Sequence, residues 1–473
     1  MADELKMIKF ILNNQEVNTN LPFEMRVLDF LRSQRGITSI KAGCRTGSCG
    51  TCLILAGELD NDIVSYRPLN SCLLPLAEVN GKHLVTIEGL NRPQLNPIQQ
   101  AMVDEGAIQC GYCTPGIVIA LTAFFLNSPS LNESLTTVAL DGNLCRCTGY
   151  QGIKRAVSLL CQQFALPNVN PAERIKWLVD LQILPTYFLE ISQRLQKFPA
   201  HHLTSIPSNA TIVAGGTIPW QNDPSKPVVF LSQHQALSGI QIEANRCYVG
   251  ATTSMEVMKD SPAMQKLFPK IEKYFAVLAS TPIRYRATLG GNLVTASPIG
   301  DLSIFFLALG ASVDLNDGQN RRTIPLKDFF KGYKQIDKQN NELVEGVHFP
   351  LPDHRYAYFN FERVCKHADS EIPTVNSAIY ISMDNGQIQQ IHLSAGGVAP
   401  IPLYLTNTVN YLLGKEINVG VIHEAEKIAQ AEVSPLSDVR GSVDYKRLLL
   451  RQLFYAHFIT LFPEQIDSRE ILL

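Results

Sequence analysis

The chain has 473 residues, of which 45% are hydrophobic and 18% charged, the composition of an ordinary folded protein. A chain of this length predicts three or four domains rather than one core. The 41 Lys and Arg residues nearly balance the 43 Asp and Glu residues, so the net charge of −2 excludes an electrostatic case for nucleic acid as the main partner.

The N-terminus and the apolar runs predict a soluble, cytoplasmic protein. The first ten residues, MADELKMIKF, lack the charged region followed by an apolar stretch that marks a signal peptide. The longest apolar runs, residues 117–126 and 304–310, are shorter than the roughly 18 residues that a membrane span needs. We therefore expect no membrane segment.

Eight of the eleven cysteines lie between residues 44 and 147, which favours metal ligands over disulfides in a cytoplasmic chain. The strands predicted within residues 7–20 and the short helix predicted at 26–34 precede the first cysteine set: Cys44, Cys49, Cys52 and Cys72. Its spacing is that of plant-type ferredoxins, and the glycines of CRTGSCGTC let the loop wrap a cluster. A structural zinc site is the alternative. Zinc sites usually combine two Cys-x-x-Cys pairs, and this set contains only one. We therefore favour a two-iron cluster.

The second cysteine set lies in QCGYCTPG and GNLCRCTGY and consists of Cys110, Cys113, Cys145 and Cys147. The surrounding sequence predicts helices, with Asn96-Pro97 and Thr114-Pro115 as helix starts and residues 150–164 as an amphipathic helix. Loops at helix ends can bring two cysteine pairs around one metal centre, but the motif alone leaves the type of centre open. Cys161 is predicted to be a buried apolar residue.

Taken together, the two cysteine sets resemble the iron–sulfur region of the molybdenum hydroxylases, the xanthine dehydrogenase and aldehyde oxidase family. The resemblance implies a multidomain α+β protein. It implies a β-grasp 2Fe–2S ferredoxin domain over residues 1–85 and a four-helix 2Fe–2S domain over residues 86–165. By the same resemblance, each set holds one 2Fe–2S cluster, and the second cluster lies next to the molybdopterin.

Residues 166–185 are predicted to be a linker because of their prolines, and two glycine-rich segments follow. TIVAGGTIPW (211–220) and ATLGGNLVTASPIGD (287–301) each place glycines after a strand-like approach, so that backbone amides can approach a pyrophosphate. Neither has the Gly-x-Gly-x-x-Gly pattern of a Rossmann site. Taken alone, each is equally an ordinary turn.

Placed after the iron–sulfur region, these segments resemble the FAD-binding segments of the same family. The resemblance implies a vanillyl-alcohol-oxidase-type FAD domain over 186–355 and a C-terminal α+β flavoprotein subdomain over 356–473. It implies that the diphosphate is wrapped by Ile212, Val213, Ala214, Gly215, Gly216, Thr217 and Ile218. It implies that the flavin and ribityl chain contact Thr288, Gly290, Gly291, Asn292, Asp301 and Arg363. Asp301 is also a candidate N-cap for the helix that begins there.

Three positions depart from the family pattern. Leu278 replaces an aromatic residue that packs on the isoalloxazine ring in many relatives, and Ile218 stands where an acid is common. Ser370 and Glu371 replace a more acidic pair. These departures concern the flavin potential and the electron acceptor.

The resemblance extends to residue 473 and leaves no segment for molybdopterin, so we expect a large molybdenum subunit as partner, in a heterotetramer of two small and two large chains. The implied function is electron transfer in xanthine dehydrogenase, which oxidises hypoxanthine and xanthine to urate. Electrons would pass from the partner's molybdopterin to the second cluster, the first cluster, FAD and finally NAD or another acceptor. No catalytic residue is then needed on this chain. The alternatives are a subunit of an aldehyde or N-heteroaromatic hydroxylase and a stand-alone iron–sulfur flavoprotein reductase.

Overall fold

The computed structural model describes residues 7–165, 167, 169–198, 206–207, 209–218, 223, 225–352, 356–366 and 372–471. The chain divides into two compact units. The first comprises Met1–Gln235 and Ser280–Arg286, and the second comprises Ala236–Ala279 and Ala287–Leu473. The first unit therefore includes both the predicted linker, residues 166–185, and the start of the predicted FAD domain, which begins at residue 186. In the described part of the chain, no helix is long and apolar enough to cross a membrane.

The first unit begins with a mixed five-stranded sheet. Its elements are β1 (Ile8–Leu12), β2 (Gln15–Thr19), α1 (Val27–Asp29), β3 (Leu53–Asp60), β4 (Ile63–Asn70) and β5 (His83–Val85). The strand order is β2-β1-β5-β3-β4, with β1 and β5 parallel. Asn13 adopts a positive φ of 55° in the turn between β1 and β2, which confirms the predicted pair of strands. One face of the sheet packs on Val27, Leu28 and the π-helical turn Phe30–Gln34.

Helices follow the sheet within the same unit: α2 (Pro97–Asp104), α3 (Thr114–Asn127), α4 (Glu133–Ala139), α5 (Gln151–Gln163), α6 (Pro171–Asp180) and α7 (Ile191–Leu195). Asn96 caps α2, as the sequence predicted, and it forms a capping box with Gln99, which the sequence analysis did not predict. The cap of α3 is Cys113 rather than Thr114, which is already helical. Cys161 is only half-buried at the edge of this core.

The predicted linker is partly helical. α6 lies within residues 166–185, and its Ile175, Leu178 and Val179 pack into the core that α3 and α5 form. The apolar spacing of these residues outweighs the prolines, one of which occupies the first position of α6. The unit then adds two parallel strands, β6 (Thr211–Val213) and β7 (Val228–Phe230). Val213 and Phe230 pack on Ala77, which joins this segment to the N-terminal sheet region.

The second unit begins with a five-stranded sheet flanked by short helices. Its elements are β8 (Ile240–Glu243), β9 (Arg246–Gly250), α8 (Met255–Asp260), α9 (Pro262–Leu267), α10 (Ile271–Ala276), α12 (Leu289–Thr295), α13 (Asp301–Leu307), β10 (Ser312–Asn316), β11 (Arg321–Pro325), β12 (Phe330–Gly332), β13 (Gln335–Ile336) and β14 (Leu343–Pro350), while α11 (Thr281–Arg284) belongs to the first unit. The sheet order is β11-β10-β14-β9-β8. The buried α13 packs in its core, so the glycine-rich residues before it are held on a rigid support.

The second unit ends in an antiparallel sheet covered by helices. Its elements are β15 (Ala357–Val364), β16 (Val375–Asp384), β17 (Gln387–Gly396), β18 (Leu403–Tyr404), α14 (Thr406–Leu412), α15 (Val419–Glu432), α16 (Val443–Leu461) and α17 (Ser468–Ile471). The strands pair in chain order. Apolar residues of β16 and β17 pack against α15 and α16. The long α16 also carries one fully buried histidine, His457.

Candidate functional site

Three cysteines of the first set, Cys44, Cys49 and Cys52, lie in a tight loop between α1 and β3, and Cys72 follows β4. The backbone N–H groups of Thr46 and Ser48 donate to Cys44 Sγ at 3.4 and 3.2 Å, and the N–H of Cys44 donates to Cys49 Sγ at 3.4 Å. Gly47 and Gly50 have φ values of 80° and 67°, which side-chain-bearing residues rarely adopt. The loop therefore aims several amides at its sulfur atoms, as a negatively charged iron–sulfur centre needs.

The thiols of this set are held in two pairs. Burial raises the pKa of Cys44, but hydrogen bonds from Thr46, Cys49 and Ser48 outweigh it and bring the pKa to about 7. Cys52 and Cys72 share a hydrogen bond, which raises the pKa of Cys52 well above its ordinary value and lowers that of Cys72. Cys52 and Cys72 are both buried. One pair is thus half-exposed and the other lies inside the unit.

The second cysteine set is also paired, at the ends of α3 and α5. Cys147 Sγ lies 3.5 Å from Cys110 Sγ, and both residues are exposed. Burial and a hydrogen bond with Cys145 raise the pKa of Cys113 to about 12. Burial raises the pKa of Cys145, but hydrogen bonds from Thr148 outweigh it and lower the pKa overall. The backbone N–H of Cys145 donates to Tyr150 Oη at 3.0 Å.

The paired arrangement suits a two-iron centre. Within the described ranges, no group of three or more His, Cys, Asp or Glu side chains is placed to hold a single metal ion. A 2Fe–2S cluster takes four thiolates, two for each iron, so its ligands are spread over a larger volume than those of zinc. Two pairs in each set therefore fit a cluster.

The two cysteine sets are connected by backbone contacts. The N–H of Leu144 donates to the carbonyl of Cys49 at 3.1 Å, and Asn143 Nδ2 donates to the carbonyl of Gly50 at 3.4 Å. A Cβ atom at Gly116 would lie 2.1 Å from the Gly50 carbonyl oxygen, so only glycine allows this approach. One hydrogen bond thus joins a ligand candidate of the first set to the residue before Cys145.

The predicted diphosphate segment lies in the first unit. Ile212 and Val213 belong to β6, and Ala214, Gly215, Gly216, Thr217 and Ile218 follow it as the segment that we call the glycine loop, residues 214–218. Gly216 has a φ of 61°, and a Cβ there would lie 3.3 Å from Arg286 Nη2. Ile218 is exposed. The positive φ of Gly216 favours glycine at this position, and the diphosphate role of the loop stays a prediction.

The predicted flavin–ribityl residues lie in the second unit, at the start of α12. Thr288 caps this helix by accepting from the N–H of Gly291 at 3.2 Å, and Gly290 packs so closely that a Cβ would lie 2.8 Å from the Cβ of Ala251. Asn292 Oδ1 accepts from the N–H and the hydroxyl of Ser303 at 3.1 and 3.0 Å. Asn292 therefore joins α12 to α13.

Asp301 and Arg363 form a buried ion pair in the second unit. Arg363 Nη2 lies 3.4 Å from Asp301 Oδ2, and Arg363 Nη1 also donates to the carbonyl of Val277. Asn376 Nδ2 donates to Asp301 Oδ1 at 2.6 Å. Burial raises the pKa of Asp301, and the Arg363 guanidinium opposes this rise. Asp301 is not an N-cap, because Gly300 holds that position and the carboxylate binds these two side chains instead.

Asn376 was missed by the sequence reasoning. It lies in the segment 361–379, in which only Arg363 was predicted to contact the flavin, and the pairing of β15 with β16 brings it opposite Arg363. Its Oδ1 atom is buried and has no hydrogen-bond partner within the described ranges, which is consistent with a site that a bound flavin completes. Leu278 is buried in the core of this unit. Ser370 and Glu371 lie outside the described residues.

Family models match the chain in four successive parts. The "2Fe-2S iron-sulfur cluster binding domain" matches residues 10–77, and the "[2Fe-2S] binding domain" matches residues 86–158. The "FAD binding domain in molybdopterin dehydrogenase" matches residues 194–352, and the "CO dehydrogenase flavoprotein C-terminal domain" matches residues 361–461. Fold and site thus define an iron–sulfur flavoprotein with two 2Fe–2S binding domains and an FAD-binding domain.

Related sequences extend across nearly the whole chain. Xanthine dehydrogenase 1 of Arabidopsis thaliana is 26% identical over 92% of this chain and 38% of its own length. Aldehyde oxidase 2 of Rattus norvegicus is 25% identical over 100% of this chain and 40% of its own length. This chain thus spans about two fifths of these relatives. In the same fold, a chain of carbon monoxide dehydrogenase from Hydrogenophaga pseudoflava is 23% identical, with a TM-score of 0.50 over 55% of this chain and 92% of that chain. The chain is thus similar in sequence to xanthine dehydrogenases and aldehyde oxidases, and part of it shares its fold with a chain of carbon monoxide dehydrogenase.

Proposed function

We propose that this chain is the electron-transfer subunit of a xanthine dehydrogenase whose molybdopterin lies on a separate large subunit. The hydrogen bond from Leu144 N–H to the Cys49 carbonyl carries the proposal, because it connects the two cysteine sets directly. The 2Fe–2S clusters supply one-electron transfer, and FAD exchanges single electrons for hydride equivalents when bound. The several xanthine dehydrogenases among the relatives support this specificity.

In this proposal the eight cysteines are the cluster ligands. Their unequal burial indicates which cluster faces the molybdenum subunit and which faces FAD. The second set, with Cys110 and Cys147 exposed, is the side that meets the molybdenum subunit. The first set, with Cys52 and Cys72 buried, is the side toward FAD. NAD is the proposed acceptor, and the proposed assembly has two small and two large chains. The proposed folds are β-grasp, four-helix and vanillyl-alcohol-oxidase type for the first three domains.

Residues of this chain would hold the iron–sulfur clusters and FAD. Amides of the first loop stabilise thiolate charge at Cys44, and Gly216 allows backbone to approach a diphosphate. Asp301 and Arg363, with Asn376, place a polar cluster in the second unit for the flavin to contact. None of these residues has to act as an acid, base or nucleophile for hydroxylation.

The test compares two reactions of one preparation. The chain with FAD and iron–sulfur clusters should reduce an artificial dye with NADH, and it should oxidise xanthine only when the molybdenum subunit is added. Cys147→Ser should abolish electron transfer from xanthine but spare the NADH–dye reaction, with the wild-type chain as control. Xanthine turnover by this chain alone, or equal loss of both reactions with FAD still bound, would contradict the proposed order.

A second candidate is the corresponding subunit of an aldehyde hydroxylase, because aldehyde oxidases match the chain over a similar span. The reconstituted complex should therefore be offered purines, aldehydes and N-heteroaromatic compounds in parallel. Purine oxidation supports the first candidate, and aldehyde oxidation without purine oxidation supports the second. If the purified chain oxidises any of these compounds without a molybdenum subunit, both candidates are wrong.

A further inference from the structure

A buried ion pair in the first unit lies outside the residues assigned so far. Arg286 donates from Nη1 and Nη2 to the two carboxylate oxygens of Glu78, at 2.8 and 3.0 Å. Both side chains are almost completely buried, with 6% and 5% exposure. The partners are 208 residues apart in sequence. A bidentate pair at this depth fixes the position of a guanidinium closely, because its planar fork matches the carboxylate in one orientation.

The same guanidinium lies against the glycine loop. A Cβ atom at Gly216 would be 3.3 Å from Arg286 Nη2 and 3.9 Å from the carbonyl oxygen of Leu73. Leu73 directly follows the ligand candidate Cys72. The space beside the Gly216 Cα is therefore bordered by the Arg286 guanidinium and by the carbonyl of Leu73, next to Cys72.

A second, apolar contact supports this placement. Ala77, the residue before Glu78, packs on Val213 of β6 and Phe230 of β7. The strand that leads into the glycine loop is thus seated on the 3-10 turn Leu76–Val79, which also carries Glu78. Polar and apolar contacts fix the same two segments together.

One nitrogen of the Arg286 guanidinium is left without any partner among the described residues. Nη1 and Nη2 both donate to Glu78, whereas Nε is buried and has no hydrogen-bond partner among the described residues. A buried guanidinium N–H without an acceptor is costly, and an anionic oxygen is the acceptor that it binds best. The glycine loop beside it is the proposed diphosphate segment.

We propose that Arg286, held by Glu78, positions the glycine loop against the loop that follows Cys72, and that it couples FAD affinity to the reduction potential of the first cluster. The inference rests on the proposed function, because it takes Gly216 as diphosphate-binding and Cys72 as a cluster ligand. Arg286 is a positioning residue that acts through the glycine loop.

The first measurement is FAD affinity. The full chain, stripped of flavin, is titrated with FAD and followed by flavin fluorescence. Arg286→Met should raise the Kd for FAD about tenfold or more, because the charge-assisted contact between Arg286 and Glu78 that positions the glycine loop is lost. Arg286→Lys should recover part of the affinity, since it keeps the charge but not the bidentate geometry. Glu78→Gln should also weaken FAD binding, because Arg286 is no longer held.

The second measurement is the reduction potential of each cluster, by redox titration with electron paramagnetic resonance. Reduction adds negative charge to a cluster, so a nearby cation favours the reduced form. Arg286→Met should lower the potential of the first cluster, and Glu78→Gln should raise it. The second cluster should not shift. The two variants therefore change FAD affinity in the same direction and the potential in opposite directions, which a loss of stability alone does not produce.

The matched control is Arg284→Met. Arg284 lies in the same seven-residue segment, Ser280–Arg286, is fully buried and pairs with Asp141 at 3.2 Å. It should lower thermal stability without changing the Kd for FAD. Equal weakening of FAD in Arg284→Met and Arg286→Met, or potential shifts of one sign in Arg286→Met and Glu78→Gln, would overturn the inference. If Gly216→Val loses FAD while Arg286→Met binds it fully, the inference about Arg286 is overturned but the proposed function is not. A wild-type chain that binds no FAD would overturn the proposed function as well.

Discussion

His457 is a buried histidine whose neutral state is fixed by its neighbours in the second unit. Its Nδ1 accepts from Asn360 Nδ2 at 3.0 Å, because an amide nitrogen can only donate. Its Nε2–H donates to Ser377 Oγ at 3.0 Å, and the Ser377 hydroxyl donates to the carbonyl of Ser394 at 2.8 Å. A second proton on the ring would have no acceptor. We therefore predict that acid destabilises this unit through His457.

The size of the effect follows from the pKa. Burial lowers the pKa of His457 from 6.5 to about 3. Below pH 6.5 the unfolded chain takes up a proton that the native state refuses, so stability is present in full above that pH and is lost as the pH falls toward 3. At about 1.4 kcal/mol per pH unit, the loss between pH 7.5 and 5 is about 2 kcal/mol.

The assay compares the wild type with His457→Gln at pH 7.5 and 5. Glutamine offers one acceptor and one donor but does not titrate. The free energy of opening is taken from urea-dependent amide hydrogen exchange in β16, the strand that carries Ser377. Between pH 7.5 and 5, we expect the free energy of opening of β16 to fall by about 2 kcal/mol more in the wild type than in His457→Gln.

A control variant isolates the site. His423→Gln replaces a half-buried histidine on α15, in the same unit, and should leave the pH dependence of β16 as it is in the wild type. If the wild type and His457→Gln lose stability in parallel, His457 does not carry the acid sensitivity and the reasoning is refuted.

Three further predictions concern the clusters and the flavin. Gly216→Val should remove FAD, measured as flavin absorbance, while both iron–sulfur signals remain, because a β-branched residue is strained at a φ of 61° and would press on Arg286; full flavin content would contradict the assignment of the glycine loop. The wild type should contain about four irons and four labile sulfides, and Cys49→Ser should abolish one of two paramagnetic signals and spare the other; stoichiometric zinc without sulfide would refute both statements. Gly116→Ala should cost roughly 1–3 kcal/mol of stability and weaken the magnetic coupling between the clusters, because its Cβ would lie 2.1 Å from the Gly50 carbonyl; unchanged coupling and stability would show that the two loops are not packed as described.

Three cysteines of the first set could be located from sequence because their spacing is local. Cys44, Cys49 and Cys52 lie in one loop whose glycines set its backbone, so the motif and the geometry are nearly the same information. The same holds for the helix start at Asn96-Pro97 and for the turn at Asn13. The predicted ligand and FAD roles stay predictions until the cofactors are measured.

Other features could not be predicted because they depend on residues far apart in the chain. Glu78 and Arg286 meet only after folding, and neither lies in a pattern that marks an ion pair. Asp301 was a reasonable N-cap, but Asn376 and Arg363 compete for its carboxylate and bind it instead. The packing of β6 and β7 on Ala77 likewise joins segments that are far apart in the chain.

The unequal burial of the two cysteine sets has a practical consequence for any preparation of the holoprotein. Cys110 and Cys147 are exposed, whereas Cys52 and Cys72 are buried. Air oxidation and chelators attack accessible thiolates first, so the second cluster should be bleached before the first. A stored sample would then keep its flavin and its NADH–dye activity, but it could no longer accept electrons from a molybdenum subunit through the second cluster. Dye reduction is therefore a poor measure of sample integrity, and iron content should accompany every assay.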